Sequence, residues 1–382
     1  MKEGWEYKKL GDICSITDFV SNGSFASLKE NVKYYNSPNY AVLVRLADAS
    51  NGFDKSKLVY TDEHGYNFSK KSHLHGGELI MSNVGSVGSM FICPVMKQPM
   101  TLAPNTISIT SQNNRFLYYY FLSDGFKAKL KGITSSTTLK KFNKTNFKLL
   151  EICIPSLSEQ QSIVDYLDSA FAKIDAMKAN AEKNLNEAKA LFQASLKEML
   201  EPKEGWEEKL LPEISENLDS IRKPVTKGKR TAGIYPYYGA SGIVDYVDDY
   251  LFDEDLLCIS EDGANLLMRT YPIAFPISGK VWVNNHAHVL RFKSIVTQKY
   301  VEYCFSGMKL DEYITGAAQP KLTQKALNSI IINLPSTLDE QQSIVATLDS
   351  LKSKVDCLKA NYNKISQECD ALKQAILRQV FE

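Results

Sequence analysis

The sequence predicts an α+β protein built as a tandem repeat, in which two mixed α/β domains are joined by two long antiparallel coiled-coil helices with pseudo-two-fold symmetry. Three observations predict this architecture. The stretch LSEQQSIVDYLDSAFAKID at 157–175 returns as LDEQQSIVATLDSLKSKVD at 338–356, an offset of 181 residues. Each half opens with a Gly-Trp pair, in EGWEYKKLGDI from residue 3 and EGWEEKLLPEI from residue 204. After each repeated stretch, apolar residues recur every three or four positions, as on one face of a helix.

Composition places the chain among ordinary globular proteins. It has 382 residues, 44% hydrophobic and 23% charged, enough for two or three domains with sizeable cores. The start MKEGWEYKKL contains no apolar signal core, and no window reaches the roughly 18 uncharged apolar residues of a membrane helix. Seven scattered cysteines without a CxxC pair argue against a disulfide framework or a zinc ribbon. We therefore expect a cytoplasmic protein with reduced thiols and no membrane contact.

Charge is distributed unevenly along the chain. The formal net charge is only +1, but residues 1–157 contain 19 basic and 12 acidic residues, a local balance of +7. The later segments are slightly acidic, at −2 for 158–200, −3 for 201–338 and −1 for 339–382. A polyanion would therefore be attracted to the first segment and to local basic patches elsewhere.

The first domain, predicted over residues 1–157, alternates short β-type runs with Gly, Ser and Asn breaks. A helix is predicted at 115–131. Pro155 ends the last strand, and Ser158 is placed to cap the helix that follows. The other predicted strands are 40–46, 78–81 and 106–110.

Two long helices are predicted over 158–201 and 338–382. Each would be roughly 60 Å long at 1.5 Å per residue, which is too long for one small domain to cover. In the second helix the apolar spacing alternates between four and three, as in a coiled coil. We therefore predict that the helices pair along an apolar seam; the alternative is that each helix packs on its own domain. The predicted seam residues are Ile163, Leu167, Ile174, Leu185, Leu348, Leu351, Val355, Leu358, Ile365 and Leu372.

The second domain is predicted over 202–337. It matches the first domain best just before each long helix, where ITSSTTLKKFNKTNF at 133–147 faces ITGAAQPKLTQKAL at 314–327. The ends of the repeat are alike and the middles diverge, which suits two similar domains that bind two different half-sites at a fixed separation. Strands are predicted at 256–259, 281–283 and 288–292, and loops at 235–242 and 261–265.

Several motifs of the second half are long and specific. They are YPYYGASGIVDYVDDYLFDEDLL at 235–257, EDGANLL at 261–267, VNNHAHVL at 283–290 and TGAAQPKLTQKAL at 315–327. With the repeated EQQxIV stretch and the Gly-Trp openings, they make the whole chain resemble the specificity subunit of type I restriction-modification enzymes. The first domain resembles the target-recognition domains of this family through GELIMSNVGSVG at 77–88, APNTISI at 103–109 and the SSTTLKK stretch.

The resemblance implies a DNA-reading subunit without catalytic activity. In that family two target-recognition domains each read one part of a bipartite DNA sequence, and the two long helices set the distance between them. A two-fold reader generally favours half-sites about one DNA turn apart, ~10 bp. Two methyltransferase (M) subunits and restriction (R) subunits assemble around the helices on double-stranded DNA. S-adenosylmethionine is then expected on the methyltransferase subunits, with no cofactor in this chain.

Contacts with DNA require Lys, Arg and backbone amides for phosphates, and polar side chains for base edges. Both occur on the predicted loops. The run 222–230 has five cations and no acid, and the lysines at 140–144 and 321–325 lie in stretches that match the family. The alternative for each residue is a solvated surface or a turn capped by its own side chain. The candidates are Ser82, Asn83, Ser86, Asn105, Lys140, Lys141, Lys144, Arg222, Lys223, Lys227, Lys229, Arg230, Tyr238, Ser241, Asn265, Asn285, Gln319, Lys321 and Lys325, with Glu261, Asp262 and His286 in the same loops.

The sequence predicts neither a metal site nor catalysis in this chain. The pairs His73 with His75 and His286 with His288 lack the further ligands that zinc requires. No Walker motif is found, and the stretches at 36–40 and 85–88 only partly resemble the loops of a methyltransferase. Two other functions remain open: a solitary DNA methyltransferase or nuclease, and a coiled-coil scaffold indifferent to DNA.

Overall fold

The fold is α+β, and one arrangement of strands occurs twice. The computed structural model describes residues 4–135, 139–316 and 319–382. The chain divides into two compact units: unit 1 comprises Met1–Ala179 and Lys364–Glu382, and unit 2 comprises Asn180–Asn363. Each long helix therefore contributes one part to each unit. Among the described residues, no helix combines the length and apolar character needed to cross a membrane.

In the described part of unit 1, two four-stranded sheets accompany a two-stranded ribbon. The strands are β1 (Glu6–Lys9), β2 (Ser15–Asp18), β3 (Ala41–Val44), β4 (Tyr60–Thr61), β5 (His73–Leu74), β6 (Leu79–Ser82), β7 (Met90–Ile92), β8 (Met100–Leu102), β9 (Thr106–Thr110) and β10 (Glu151–Ile154). The helices are α1 (Leu10–Ile13), α2 (Phe25–Asn31), α3 (Leu46–Ser50), α4 (Glu63–Phe68), α5 (Asn114–Phe121), α6 (Asp124–Ile133), α7 (Lys144–Lys148) and the first part of α8 (Leu157–Met199).

Unit 2 begins with the second part of α8. Its strands are β11 (Glu207–Leu210), β12 (Ser215–Asn217), β13 (Ala232–Gly239), β14 (Gly242–Val247), β15 (Phe252–Asp253), β16 (Leu256–Ser260), β17 (Ala274–Ile277), β18 (Lys280–Val283), β19 (Ala287–Phe292), β20 (Ile314–Thr315), β21 (Lys321–Leu322) and β22 (Ile331–Leu334). Its helices are α9 (Leu211–Ile214), α10 (Asn265–Met268), α11 (Ile295–Gly307), α12 (Gln324–Asn328) and the first part of α13 (Leu338–Phe381).

The two units share one sheet topology although their sequences diverge. An antiparallel sheet is ordered β2-β9-β6-β7 in unit 1 and β12-β19-β16-β17 in unit 2. A mixed sheet is ordered β4-β3-β8-β5 and β14-β13-β18-β15, and its central pair is parallel in both units. The central strands β6 and β16 are buried along their whole length, so what the repeat retains in its middle is apolar character and not residue identity.

The repeated Trp and EQQ motifs close each unit in the same way. In unit 1 the indole Nε1 of Trp5 donates to Glu159 at 2.9 Å, and the side-chain amide of Gln160 donates to the carbonyl of Pro155 at 3.0 Å. Both bonds join the first turn of α8 to the chain around the β1–β10 ribbon. The same two bonds recur in unit 2, from Trp206 to Glu340 at 3.0 Å and from Gln341 to Pro335 at 3.0 Å.

A second repeated contact holds a surface helix of each unit against the long helix. Asp168 of α8 accepts hydrogen bonds from Arg115 and Tyr119 of α5. In unit 2 Asp349 of α13 accepts from Lys299 at 3.1 Å and from Tyr303 at 2.6 Å. These contacts match α5 with α11 at an offset of 184 residues, while the long helices match at 181.

Within unit 1 the two long helices run antiparallel, as predicted. Lys373 Nζ lies 2.5 Å from Asp175, and Lys178 Nζ lies 3.5 Å from Asp370. Residue numbers fall along α13 as they rise along α8, which defines the antiparallel direction. The Cys369 thiol of α13 also contacts the carbonyl of Ile174 in α8.

The seam differs from the predicted one near the end of α13. There Leu372 is 47% exposed, and the side chain packed in the core of unit 1 is Leu377, at 1% exposure. After Cys369 the positions that face inward are 373 and 377, at steps of four and four instead of three and four. At the first of them Lys373 lies over the Phe171 ring at 5.1 Å, so the heptad pattern ends there. Elsewhere Leu167, Ile174, Leu185 and Leu348 are buried, and Ile163, Leu351, Val355, Leu358 and Ile365 are half-buried.

Three local predictions are wrong. The helix predicted at 115–131 is two helices, because Ser123 interrupts it and caps α6 by accepting from the Phe126 amide. The cap of α8 is Ser156, whose hydroxyl accepts from the Glu159 amide, and not Ser158. The loop predicted at 235–242 is mostly strand β13, with only a tight turn before β14.

We predict that Leu377→Ala lowers the free energy of unfolding by about 2–5 kcal/mol, because it opens a cavity in the core of unit 1. Leu372→Ala, on the same helix and in the same unit, should change it by less than about 0.5 kcal/mol. Chemical denaturation followed by circular dichroism measures both. Equal losses for the two variants would contradict the packing of α13 described above.

Candidate nucleic-acid interface

In unit 1, three loops meet where β6 ends and β9 begins. We call this junction 1, formed by residues 83–86, 105 and 140–142. The main-chain amide of Asn83 donates to the carbonyl of Asn105 at 3.1 Å, and the carbonyl of Asn83 accepts from the amide of Phe142 at 3.1 Å. The amide of Gly85 donates to the carbonyl of Lys140 at 2.9 Å. Main-chain bonds therefore fix the positions of all three loops.

Unit 2 has a corresponding junction 2, formed by residues 261–263, 286 and 320–322. Here the Glu261 amide donates to the His286 carbonyl at 2.9 Å, and the Leu322 amide donates to the main-chain carbonyl of Glu261 at 2.7 Å. The Gly263 amide donates to Pro320 at 3.0 Å. These are the same three bonds, position by position, as in junction 1. A bridge between Val84 and Lys141 in junction 1 likewise recurs between Asp262 and Lys321.

The junctions share a main chain and differ in their side chains. Asn83 corresponds to Glu261, Asn105 to His286 and Lys140 to Pro320. A frame held by main-chain bonds tolerates such exchanges, because no framework bond depends on the side chain. The two units thus present one loop geometry with different donors, acceptors and charges.

The predicted residues of the first domain separate into exposed and structural side chains. Ser86 and Asn105 are exposed, and Asn105 adopts a left-handed conformation with φ 68° that turns the chain into β9. Ser82 is buried, and its hydroxyl donates to the carbonyl of Val84 at 2.8 Å. The side-chain oxygen of Asn83 is buried and accepts no hydrogen bond from the described residues.

Lysines border junction 1 on one side. Lys140 and Lys141 are exposed and follow Leu139. Residues 136–138 of SSTTLKK lie outside the described residues. Lys144 is less available, because its ammonium lies 2.9 Å from Asp18. Two of the three predicted lysines therefore remain good candidates for contact with phosphates.

Two of the five cations in the basic run at 222–230 form ion pairs within unit 2. Arg222 has an 11% exposed side chain that lies 2.7 Å from Glu261 and 3.1 Å from Asp219. Arg230 lies 2.9 Å from Asp245, with its guanidinium over the Tyr237 ring. This geometry argues against phosphate contact for either arginine. The exposed cations of the run are Lys223, Lys227 and Lys229.

Below junction 2 lies a buried ionic cluster that the sequence analysis did not predict. His288 Nδ1 lies 2.6 Å from Asp219, and its Nε2–H donates to the carbonyl of Leu322 at 2.8 Å. Ligand atoms of Asp219, Glu261 and His288 lie within 4.8 Å of one another, as a metal site requires. Arg222 occupies both carboxylates and Lys321 lies 3.1 Å from Glu261, so the cluster is satisfied as an ion-pair network. It fastens the loops of junction 2 to β19.

The carboxylates of this cluster have depressed pKa values. Burial alone would raise the pKa of Asp219, but the hydrogen bond from His288, the Val289 amide and the Arg222 charge lower it below its usual range. Burial likewise opposes the hydrogen bonds from Arg222 and Lys321 that lower the pKa of Glu261. Both groups therefore stabilise unit 2 in their ionised form.

The remaining candidates lie around junction 2 with unequal freedom. Asn265 exchanges two hydrogen bonds with Tyr271, so its side chain caps its own turn, which was the alternative considered for it. Tyr238 is half-buried against Phe275, and Ser241 is exposed at the turn between β13 and β14. Asn285, Gln319 and Lys325 are exposed, and Lys321 is half-exposed beside Glu261. Residues 317–318 of the second motif lie outside the described residues.

His286 is the side chain that the site prediction undervalued. It is 48% exposed, and its Nδ1 lies 2.8 Å from Asp262. Its position matches Asn105 through the main-chain bonds and also through the repeat offset of 181 residues, which is the sequence signal that could have identified it. His286 and His288 do not share a strand face, because His286 lies in the turn before β19 while His288 is buried in the strand. His73 is also structural, stacked on Tyr66 with a ring separation of 3.8 Å.

The family model described as type I restriction modification DNA specificity domain matches residues 2–187 and again residues 203–367. The specificity subunit of the type I restriction enzyme EcoKI from Escherichia coli K12 is 22% identical over 425 residues, which covers 100% of this chain and 89% of that protein. A Haemophilus influenzae protein named as a type I restriction enzyme specificity subunit is 36% identical over 157 residues. That match covers 41% of this chain, and the chain spans 40% of the length of that relative.

Two solved structures share the fold. A chain from a structure on complex assembly and conformational transition of the type I R-M system aligns with a TM-score of 0.75 and 17% identity, over 100% of this chain and 98% of that chain. The HsdS subunit from Thermoanaerobacter tengcongensis aligns with a TM-score of 0.56 and 17% identity, over 100% and 97% of the two chains. Similarity at this identity supports the architecture.

We predict that the buried ionic cluster makes the stability of unit 2 sensitive to acid. Carboxylates whose pKa is depressed in the folded state contribute stability that is complete above their ordinary pKa values of 3.8 and 4.5 and is lost as the pH falls below them. Asp219→Asn should cost about 1–3 kcal/mol at neutral pH, because it weakens the hydrogen bonds that Asp219 makes with His288 and the Val289 amide and leaves Arg222 with one carboxylate instead of two. Between roughly pH 5 and pH 3 its stability should fall less steeply than that of the unmodified protein.

Urea denaturation at a series of pH values measures both effects. Asp255→Asn, which changes an exposed carboxylate of unit 2, provides the matched control. Identical pH profiles for Asp219→Asn and the unmodified protein would show that the cluster does not stabilise the fold through its charges.

Proposed function

Because the chain belongs to the type I restriction modification DNA specificity family, we propose that it is the sequence-reading subunit of a type I restriction-modification enzyme and that each of its units reads one part of a bipartite DNA target. The observation that carries this proposal is the pair of matched junctions. Both hold three loops by the same main-chain bonds, and they present different side chains at corresponding positions. Two readers of equal shape and unlike chemistry suit a target with two unlike halves.

Unit 1 supplies a compact set of groups for DNA. Asn105 and Ser86 are exposed polar side chains at the tip of junction 1, and Lys140 and Lys141 lie beside them. An asparagine side chain can both donate to and accept from an adenine edge in the major groove. Lysines bind phosphates as point charges and position the protein without reading sequence. The local charge of +7 over residues 1–157 strengthens this attraction.

Unit 2 offers a different set of side chains to DNA. His286 and Asn285 occupy the turn that corresponds to Asn105, and Gln319 lies beside Lys321 on the neighbouring loop. The segment 201–338 has a charge of −3, so phosphate contact there depends on local cations. The exposed lysines at 223, 227 and 229 supply them.

The long helices are proposed to carry the methyltransferase and restriction subunits. Large apolar side chains remain exposed on α8, at Tyr166, Met177 and Leu191, and on α13 at Leu372. Partner subunits bound along the helices would bury these side chains. S-adenosylmethionine would then bind to the methyltransferase subunits, and two such subunits would suit the two-fold repeat. A titration of this chain alone with S-adenosylmethionine should show no stoichiometric binding, and tight binding would favour a solitary methyltransferase instead.

We predict that substitutions of lysines and of polar side chains at the junctions affect DNA binding in different ways. Lys141→Ala should weaken binding to all DNA sequences and reduce the slope of log affinity against log salt by about one. Asn105→Gly, which keeps the left-handed turn, should relax base preference at one half of the target, at a cost of about 1–3 kcal/mol. His286→Ala should relax preference at the other half only.

The measurement is selection of bound duplexes followed by sequencing, with the chain assembled with its methyltransferase subunits. Lys183→Ala, an exposed lysine on α8, is the control for general loss of charge. The proposal fails if the Asn105 and His286 variants lose preference in the same half, or if the unmodified assembly selects no sequence at all.

A further inference from the structure

The ends of the two long helices correspond residue by residue. At the offset of 181, Gln193 and Lys197 near the end of α8 match Gln374 and Arg378 near the end of α13, and Leu196 matches Leu377. Leu196 and Leu377 are each 1% exposed in the core of their own unit. The end of α8 therefore packs on the core of unit 2 in the same way as the end of α13 packs on the core of unit 1.

In unit 1 the matching end is covered by helix α6. The carboxylate of Asp124 in its first turn lies 3.2 Å from Arg378, and Lys127 donates to Gln374 at 3.3 Å. The Gly125 amide donates to Glu382 at 2.9 Å. Phe126 is buried at 1% exposure and stacks on Phe121 at 4.0 Å. Helix α6 is thus held on the end of α13 by the Asp124 carboxylate and on α5 by the Phe126 ring, which also packs edge-on to Tyr120.

No counterpart of this helix occurs between α11 and β20 of unit 2, a segment whose residues are all described. Helices α5 and α11 match at an offset of 184 residues, so Ser123, which caps α6, corresponds to Gly307, the last residue of α11. Residues 308–313 then lead through turns directly to β20, and all of them are described. The end of α11 is packed instead by Met308 and Leu310, and Arg269 donates to the carbonyls of Phe305 and Met308 at 2.8 and 2.7 Å. No helix takes the place of α6 in this described segment.

A groove is found at this place, which we call the α11 groove. It has a cavity volume of about 400 Å³ and is lined by Gln193, Leu196, Lys197, Leu200, Cys304 and Gly307, among others. Its depth has a simple cause, because Cys304 stands where unit 1 has Tyr120 and Leu200 stands where it has Phe381. In unit 1 those two rings pack against each other at 5.3 Å.

We propose that the α11 groove binds a short amphipathic helix from a partner protein, with an acidic residue in its first turn and an aromatic residue two positions later. Lys197 replaces Arg378 as the cation for the acid, and the half-buried Leu200 and Met308 contact the aromatic side chain above the buried Leu196 and Cys304. The proposal rests on contacts made by helix α6 within this chain and does not depend on DNA reading. It assigns the site to unit 2 alone, because unit 1 fills its own groove.

The test uses a peptide with the sequence of residues 123–134, SDGFKAKLKGIT, carrying a fluorescent label. Binding to the full-length protein is followed by anisotropy. We expect saturable one-site binding with a dissociation constant on the order of 10–100 µM, because a short peptide must order its helix on binding. Replacing Phe126 by Ala in the peptide should abolish measurable binding.

Two protein variants locate the site. A side chain at position 307 would begin 3.4 Å from Leu196, so Gly307→Trp should fill the groove and eliminate binding. Lys197→Glu should weaken binding about 3- to 10-fold, and a peptide with Asp124→Lys should recover most of that loss. Lys183→Glu, on the same helix outside the groove, is the control and should bind the peptide normally. The charge exchange decides the matter even if Gly307→Trp fails to fold.

Absence of saturable binding to the unmodified protein would overturn the proposal. So would equal binding of the two peptides by the Lys197→Glu variant. If Gly307→Trp weakened duplex binding and left peptide binding intact, the groove would be a nucleic-acid surface instead. Loss of DNA selectivity in the Asn105 and His286 variants does not bear on these outcomes.

Discussion

Each unit depends on one closing contact between its first strand and its long helix. An indole N–H near the opening ribbon donates to a glutamate in the first helical turn, and the next glutamine satisfies a proline carbonyl just before the helix. A buried polar group without a partner would cost about 1–3 kcal/mol, so these bonds also fix the direction in which the helix leaves. The sheets and loops between the two ends of the ribbon can then vary in sequence while the frame stays the same.

The junctions show how this frame is used. Their loops are held by main-chain bonds, so asparagine, glutamate, histidine or proline can occupy corresponding positions without changing the loop geometry. Unit 2 adds a buried ionic cluster beneath its junction, where Arg222 and Lys321 neutralise Asp219 and Glu261. Unit 1 instead presents exposed lysines at the corresponding loop. Similar geometry is thus maintained with quite different electrostatics.

Much of this architecture is visible in the sequence. The strand at 106–110 is predicted with its observed bounds, because its alternation is regular, Pro104 and Asn105 precede it and Ser111 follows it. The break at Ser123 is not visible, since apolar residues continue through it at helical spacing. Arg222 was mistaken for a surface cation because its partner Glu261 lies 39 residues away in the chain. Leu372 fits the heptad, but beyond Lys373, which still contacts Asp175 of α8, the buried side of α13 packs on the core of unit 1 through Leu377. Periodicity describes a helix and its nearest neighbour, and it does not describe a change of neighbour along the helix.

The division of the chain has a consequence for its biosynthesis. Unit 1 includes residues 364–382, and Leu377 lies in its core, so a ribosome must translate all of unit 2 before unit 1 has its last packing element. Unit 2 is continuous in sequence and can close as soon as residues 180–363 have emerged. The N-terminal unit therefore completes its core second, which reverses the usual vectorial order of domain folding. In the interval its aromatic surface around Phe116 and Tyr120 is available to chaperones.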